Sequence, residues 1–140
     1  LLPPDKYEIW YLSYKGEPKD WYRVDKFLRA VPHESVGDVY RQCHILLKTS
    51  VLDSFSYPPL EMMATGGFAV VLRNGGNAEF LEDEANSLLF NKGEDEKAAS
   101  LINKLSCDSE LRNKLRANGL KTARSRSWVN IQDEILDLYK

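Results

Sequence analysis

Two carboxylates, Asp53 and Glu61, bracket seven residues in the run Asp-Ser-Phe-Ser-Tyr-Pro-Pro-Leu-Glu, and the apolar stretch Phe68-Ala69-Val70-Val71-Leu72 follows soon after. A carboxylate can accept paired hydrogen bonds from neighbouring hydroxyls, so acids at one sheet edge suit a sugar or a ribose. Asp53 falls in a loop after the apolar Ile45-Leu46-Leu47. Glu61 falls just inside a short helix that Pro58 and Pro59 can open, because proline suits the first helical turn. Loop N–H groups and the positive end of that helix then face the C-terminal edge of the strand, where open α/β sheets bind ligands. This is the outline of a nucleotide-sugar site.

The elements that must hold these residues can be read from periodicity. Tyr7–Leu12 and Val24–Leu28 are aromatic and branched and predict strands, each closed by Gly or Pro downstream. Val36, Val39, Tyr40 and Cys43 recur at helical spacing after Glu34. A strand is expected over His44–Lys48, a short helix over Pro59–Thr65, a strand over Phe68–Leu72 and another over Ser87–Phe90. Asn74-Gly75-Gly76 reads as a turn, with Asn77 capping a brief helix through Leu81. Three helices finish the chain: Glu94–Leu105, Ser109 to about Arg124, and Ser127–Tyr139. Short apolar strands alternating with helices predict an α/β fold, a Rossmann-like parallel sheet covered by helices on both faces, with extra C-terminal helices.

Composition excludes several classes. The 140 residues suit one domain with its own core. The content is 43% hydrophobic and 29% charged, with a net charge of -2, which gives no basic excess for nucleic acid. Basic residues gather between Arg112 and Arg126; a solvated helix face is the plainer reading, and weak peripheral contact with anionic lipid the other. Cys43 and Cys107 lack ligand spacing, and His33 and His44 complete no metal set with them. Cys43 reads as a buried thiol, in keeping with a reducing cytoplasm. No apolar run reaches the length of a membrane span. His33 reads as a cap or surface residue, Glu79 as a partner of a helix dipole, and Trp10 and Trp128 as core. Gly66-Gly67 and Gly75-Gly76 match no nucleotide-binding glycine signature.

The ordered series of motifs resembles the donor-binding, C-terminal domain of the group 1 glycosyltransferases, family four. That family's signature is Glu-Gly-Phe-Gly-Leu-Pro-x-x-Glu-Ala-Met-Ala-x-Gly-x-Pro-Val-Val, against Asp53 to Val71 here. Gly75-Gly76-Asn77-Ala78-Glu79 is similar to its Gly-Gly-x-x-Glu, and Asn86 to Phe90 to its Asn-Gly-x-Leu-Val. Ser127-Trp128 is similar to the Ser-Trp that opens its last helix. The resemblance implies one half of a GT-B two-domain architecture, retention of configuration and no cofactor or obligatory metal. It implies that Glu61 accepts from the donor ribose and that Asp53 holds hydroxyls of the transferred sugar. Backbone N–H groups of Phe55, Ser56 and Tyr57 would face sugar and diphosphate, and the chain near Val31 would meet the base. Implied partners are a nucleotide-sugar donor, an acceptor glycan or lipid-linked saccharide, and an N-terminal domain of the same protein. The implied setting is surface polysaccharide or glycoconjugate synthesis, in the cytoplasm or at the inner face of its membrane.

Two departures from that pattern matter. Asp53 replaces the usual Glu and loses about 1.5 Å of reach; a deoxy sugar is one donor that would fit. Ser54 and Ser56 replace two glycines, and their hydroxyls either touch the sugar or point away. The family's earlier strand and helix, with the Arg and Lys that neutralise the leaving diphosphate, have no matching position. Lys15 and Arg73 are the nearest candidates for that charge. Residues 1–140 are therefore expected to be a donor-binding domain truncated at its N-terminal end, Leu1-Leu2-Pro3-Pro4 reading as the end of a linker. A non-catalytic binding or assembly domain on the same fold is the alternative.

Overall fold

A computed structural model describes residues 1–139. Ten elements follow one another: β1 (Trp10–Ser13), β2 (Lys26–Arg29), α1 (His33–Gln42), β3 (Ile45–Lys48), α2 (Tyr57–Ala64), β4 (Phe68–Leu72), β5 (Leu88–Phe90), α3 (Asp95–Cys107), α4 (Ser109–Ser125) and α5 (Trp128–Asp137). Every strand pairing is parallel. β1 and β2 form a two-stranded sheet in the register Trp10 to Lys26, and β3, β4 and β5 form a three-stranded sheet with β4 central.

β4 explains how the larger sheet is covered. Successive side chains of a strand point to opposite faces, so a fully apolar strand needs a partner on each side. Phe68, Val70 and Leu72 pack with Leu88, Phe90, Ala98, Ile102, Leu105 and Leu115, placing α3 and the first half of α4 on one face. Ala69 and Val71 pack with Leu60, Met63, Phe80, Leu81 and Leu89, placing α2 on the other. α4 also comes close to α2, where Gly119 leaves room: a Cβ there would lie 3.1 Å from Met63 Cγ.

Four sequence expectations need correction. The first two strands begin later, at Trp10 and Lys26, since Ile9 N–H is drawn to the Asp25 carboxylate at 2.7 Å before the ladder starts. Asn77 to Leu81 is a turn and not a helix. A reciprocal pair closes that turn at its start: Asn74 N–H donates to Asn77 Oδ1, and Asn77 N–H donates to Asn74 Oδ1, both at 3.2 Å. Cys43 follows α1 as its C-cap and is half-buried. Trp128 is 72% exposed, outside the core, because α5 meets the rest of the described chain mainly through α4.

Candidate functional site

The loop from Thr49 to Ser56 leaves the C-terminal end of β3 and enters α2, with Pro58 and Pro59 in the helix's first turn. Ser56 is the N-cap, yet its hydroxyl does not cap the helix. It donates instead to Asp53 Oδ2 at 3.1 Å. Lys48 Nζ, at the end of β3, lies 2.8 Å from Asp53 Oδ2 and 3.1 Å from Oδ1, and donates to Ser50 Oγ at 2.6 Å. Asn74, from the loop after β4, donates its side-chain amide to Asp53 Oδ2 at 3.0 Å and to the Ser50 carbonyl at 2.8 Å. Asp53 thus ties two loops and a strand end together.

Backbone packing reinforces that bracket. Ser56 N–H donates to the Gly76 carbonyl at 3.2 Å. A Cβ on Gly76 would fall 2.3 Å from the Asp53 carbonyl oxygen, so only glycine fits there. Burial pushes the Asp53 carboxyl up, but hydrogen bonds from Lys48 and Asn74, the Lys48 charge and the Ser56 hydroxyl together outweigh it and hold the group below the usual carboxylate range. Oδ1 accepts only from Lys48 among the described residues, and a carboxylate oxygen has room for a second donor.

Glu61 stands in a different setting. It lines a cavity of about 330 Å³ at the C-terminal ends of β1 and β2. Leu12, Ser13 and Tyr14 contribute from the end of β1, Val31 from the loop into α1, and His33, Val36 and Tyr40 from α1 itself. This is the rim at which parallel sheets present ligand sites. Val31 and Glu61, expected at the base and the ribose, thus share one cavity. Residues 53 to 57 do not line it.

The other expected residues divide by environment. Ser56 is fully buried, with hydroxyl and amide already bonded inside the loop, so it offers neither to a ligand. Phe55 is pinned by ring contacts, 5.2 Å from Phe80 and 4.8 Å from Tyr57. Ser54 and Tyr57 are exposed on the loop. Arg73 is committed to Asp83 at 2.6 Å, and Glu79 to Arg126. Lys48, Asn74 and Tyr40 were not among the residues singled out. A lysine ending an apolar strand five residues before an acid was the available signal for Lys48. Asn74 and Tyr40 give none without the tertiary register. Among the described residues no group of three or more His, Cys, Asp or Glu side chains could hold a metal, and no helix is long and apolar enough to cross a membrane.

Residues 24–122 match the family model described as "Glycosyl transferases group 1". The chain belongs to that family. The matched span carries Val31, Tyr40, Asp53, Glu61 and Asn74. Among curated glycosyltransferases, D-inositol 3-phosphate glycosyltransferase of Stackebrandtia nassauensis is 26% identical over 113 residues, 81% of this chain and 26% of its own length. O-antigen chain mannosyltransferase B of Escherichia coli is 27% identical over 132 residues, 94% of this chain and 33% of its own. The chain therefore spans about a quarter to a third of these relatives. A solved structure of HepE from Anabaena in complex with UDP-glucose superposes with a TM-score of 0.74 at 25% identity, over 81% of this chain and 31% of that one. The parallel sheets with helices on both faces are those of the GT-B glycosyltransferases.

Proposed function

We propose that this glycosyltransferase domain binds the nucleotide-sugar donor of a retaining transferase, and that Glu61 and Asp53 divide the donor between them. Glu61 accepts hydrogen bonds from the ribose inside the cavity it shares with Val31, whose main chain faces the base. Asp53, in the loop after β3, uses its less occupied Oδ1 to hold a hydroxyl of the transferred hexose or deoxyhexose. The backbone of Phe55 and Tyr57 and the exposed Ser54 lie toward sugar and diphosphate. The observation that carries this reading is the placement of Glu61 beside Val31 in a 330 Å³ cavity at the C-terminal rim of a parallel sheet. HepE, similar in fold, binds UDP-glucose.

Transfer breaks the bond between anomeric carbon and diphosphate oxygen and forms one to an acceptor hydroxyl, leaving negative charge on the diphosphate. Such charge needs positive compensation in a dry site. Lys48 is already bound to Asp53 and Ser50, and Arg73 to Asp83, which leaves the compensating charge to Lys15 or to the partner domain. The acceptor is a glycan or lipid-linked saccharide, bound with the partner domain during cytoplasmic synthesis of a polysaccharide or glycoconjugate.

Calorimetry with a panel of nucleotide sugars and free nucleotides tests this reading. Glu61→Ala is expected to weaken the tightest of them by one to two decades, from the loss of a charged hydrogen-bond partner worth about 1.5–3 kcal/mol. A second reading, a non-catalytic binding or assembly domain, is favoured by one observation: Lys48, Ser56 and Asn74 already occupy most of the Asp53 carboxylate. Absence of any nucleotide binding by the full-length protein would decide for it.

A further inference from the structure

The donors that converge on Asp53 do not share its two oxygens evenly. Ser56 Oγ and the Asn74 side-chain amide both give to Oδ2, at 3.1 and 3.0 Å. Among the described residues Lys48 alone bonds both oxygens, at 2.8 Å to Oδ2 and 3.1 Å to Oδ1. Bonds at one oxygen act as a pivot about which the carboxylate can turn, carrying the other oxygen with it. A donor that spans both oxygens stops that turn. The cation is itself held. Lys48 ends β3 opposite Val71, and its Nζ gives a further bond to Ser50 Oγ at 2.6 Å. Both side chains are largely shielded from water, so their attraction is weakly screened.

An ionised carboxylate has about four acceptor positions. Three donors at Oδ2 and one at Oδ1 leave room for one more, at Oδ1. The acid can then read a single hydroxyl and not an adjacent pair. Fixing its direction before a ligand arrives also lowers the ordering cost of binding.

We propose that Lys48 is a positioning residue: by bridging both oxygens of Asp53 from the end of β3, it aims Oδ1 at one hydroxyl of the transferred sugar and makes the acid selective for that position. This rests on the sugar-holding role proposed for Asp53. It goes beyond that role in naming the residue that orients the acid and in limiting its reading to one hydroxyl.

The test uses the full-length protein and calorimetry. UDP-glucose, UDP-galactose, GDP-mannose and GDP-fucose are ranked first. The tightest is then compared with its free nucleoside diphosphate and with the single-deoxy forms of its sugar. Lys48→Met is expected to weaken the nucleotide sugar about 5- to 10-fold and the free diphosphate less than about twofold. One deoxy form is expected to lose that sensitivity, because its sugar lacks the hydroxyl that Oδ1 accepts. A merely structural role would weaken every deoxy form alike, and that result overturns the proposal. In the cycle with Asp53→Ala, the double variant is expected to bind no more weakly than Asp53→Ala alone; additive losses also overturn it. A cooperative melt of each variant checks that folding is intact. If Lys48→Met does not melt cooperatively, Lys48→Gln, which keeps a donor but has no cation to span both oxygens, takes its place with the same expectations. If Asp53→Ala weakens the nucleotide sugar and the Lys48 variant does not, only the Lys48 proposal falls. If none of the four nucleotide sugars binds, or Asp53→Ala changes nothing, the sugar reading of Asp53 falls and takes this one with it.

Discussion

Replacing Lys48 by methionine removes the cation from Asp53 while keeping most of the apolar stem. The pair is largely shielded, with 13% of the Lys48 side chain and 20% of the Asp53 side chain exposed. Breaking a fully buried pair costs about 3–5 kcal/mol and an exposed one about 0–1 kcal/mol. This pair lies between, and Asn74 and Ser56 still serve the stranded carboxylate, so about 2 kcal/mol is expected. For a chain of this size that is a fall in melting temperature of about 6–8 °C. Asp53 titrates lower in the folded than in the unfolded chain. Its contribution is therefore present above the unfolded carboxylate range and lost as pH falls through the folded value. Thermal melts followed by circular dichroism should show the full gap between the two proteins at pH 7 and a closing gap in acid. Lys48→Met/Asp53→Asn should recover part of the loss, because no charge is then left unpaired. An unchanged melting temperature at pH 7, or a gap that does not vary with pH, would refute the reasoning.

Three further outcomes follow from the same structure. Gly76→Ala places a methyl 2.3 Å from the Asp53 carbonyl oxygen, so a loss of about 1–3 kcal/mol is expected by chemical denaturation; an unaffected midpoint would mean the loop gives way freely. Leu105→Ala empties a site that is 1% exposed in the cluster beneath β4 and β5, at a cost of about 2–5 kcal/mol in urea, and a cost under 1 kcal/mol would contradict that packing. In the complete protein, Asp53→Ala should spare free nucleotide while weakening the sugar-bearing donor and its turnover, whereas Glu61→Ala should weaken both. Equal losses of plain nucleotide affinity in the two variants would show that the roles are assigned wrongly.

Much of this fold was legible because its signals are local. The unbroken Phe68-Ala69-Val70-Val71-Leu72 run could only be a strand covered on both faces, and it is β4. Regular apolar spacing marked α3 and α4 to within a few residues. The loop chemistry was less accessible. Asp53 stands out as an acid, but its partners come from a strand end and from a loop 21 residues away. Lys48 ends the strand that leads into that loop, but only the parallel register of β3 and β4 brings Asn74 to it. Asn77 was expected to cap a helix; its mutual bonds with Asn74 close a turn instead. Trp128 carries a helix-period apolar pattern, which says which residues share a face and nothing about what covers that face.

The central claim is that the cavity containing Glu61 and Val31 receives the nucleotide. Amide shifts of the isotopically labelled chain, followed while a nucleoside diphosphate is added, test it most directly. Ser13, Val31 and Glu61 are expected to move together with one saturation curve, while Cys107, at the end of α3, stays fixed. Saturable shifts centred elsewhere, with Val31 and Glu61 unmoved, would contradict the account.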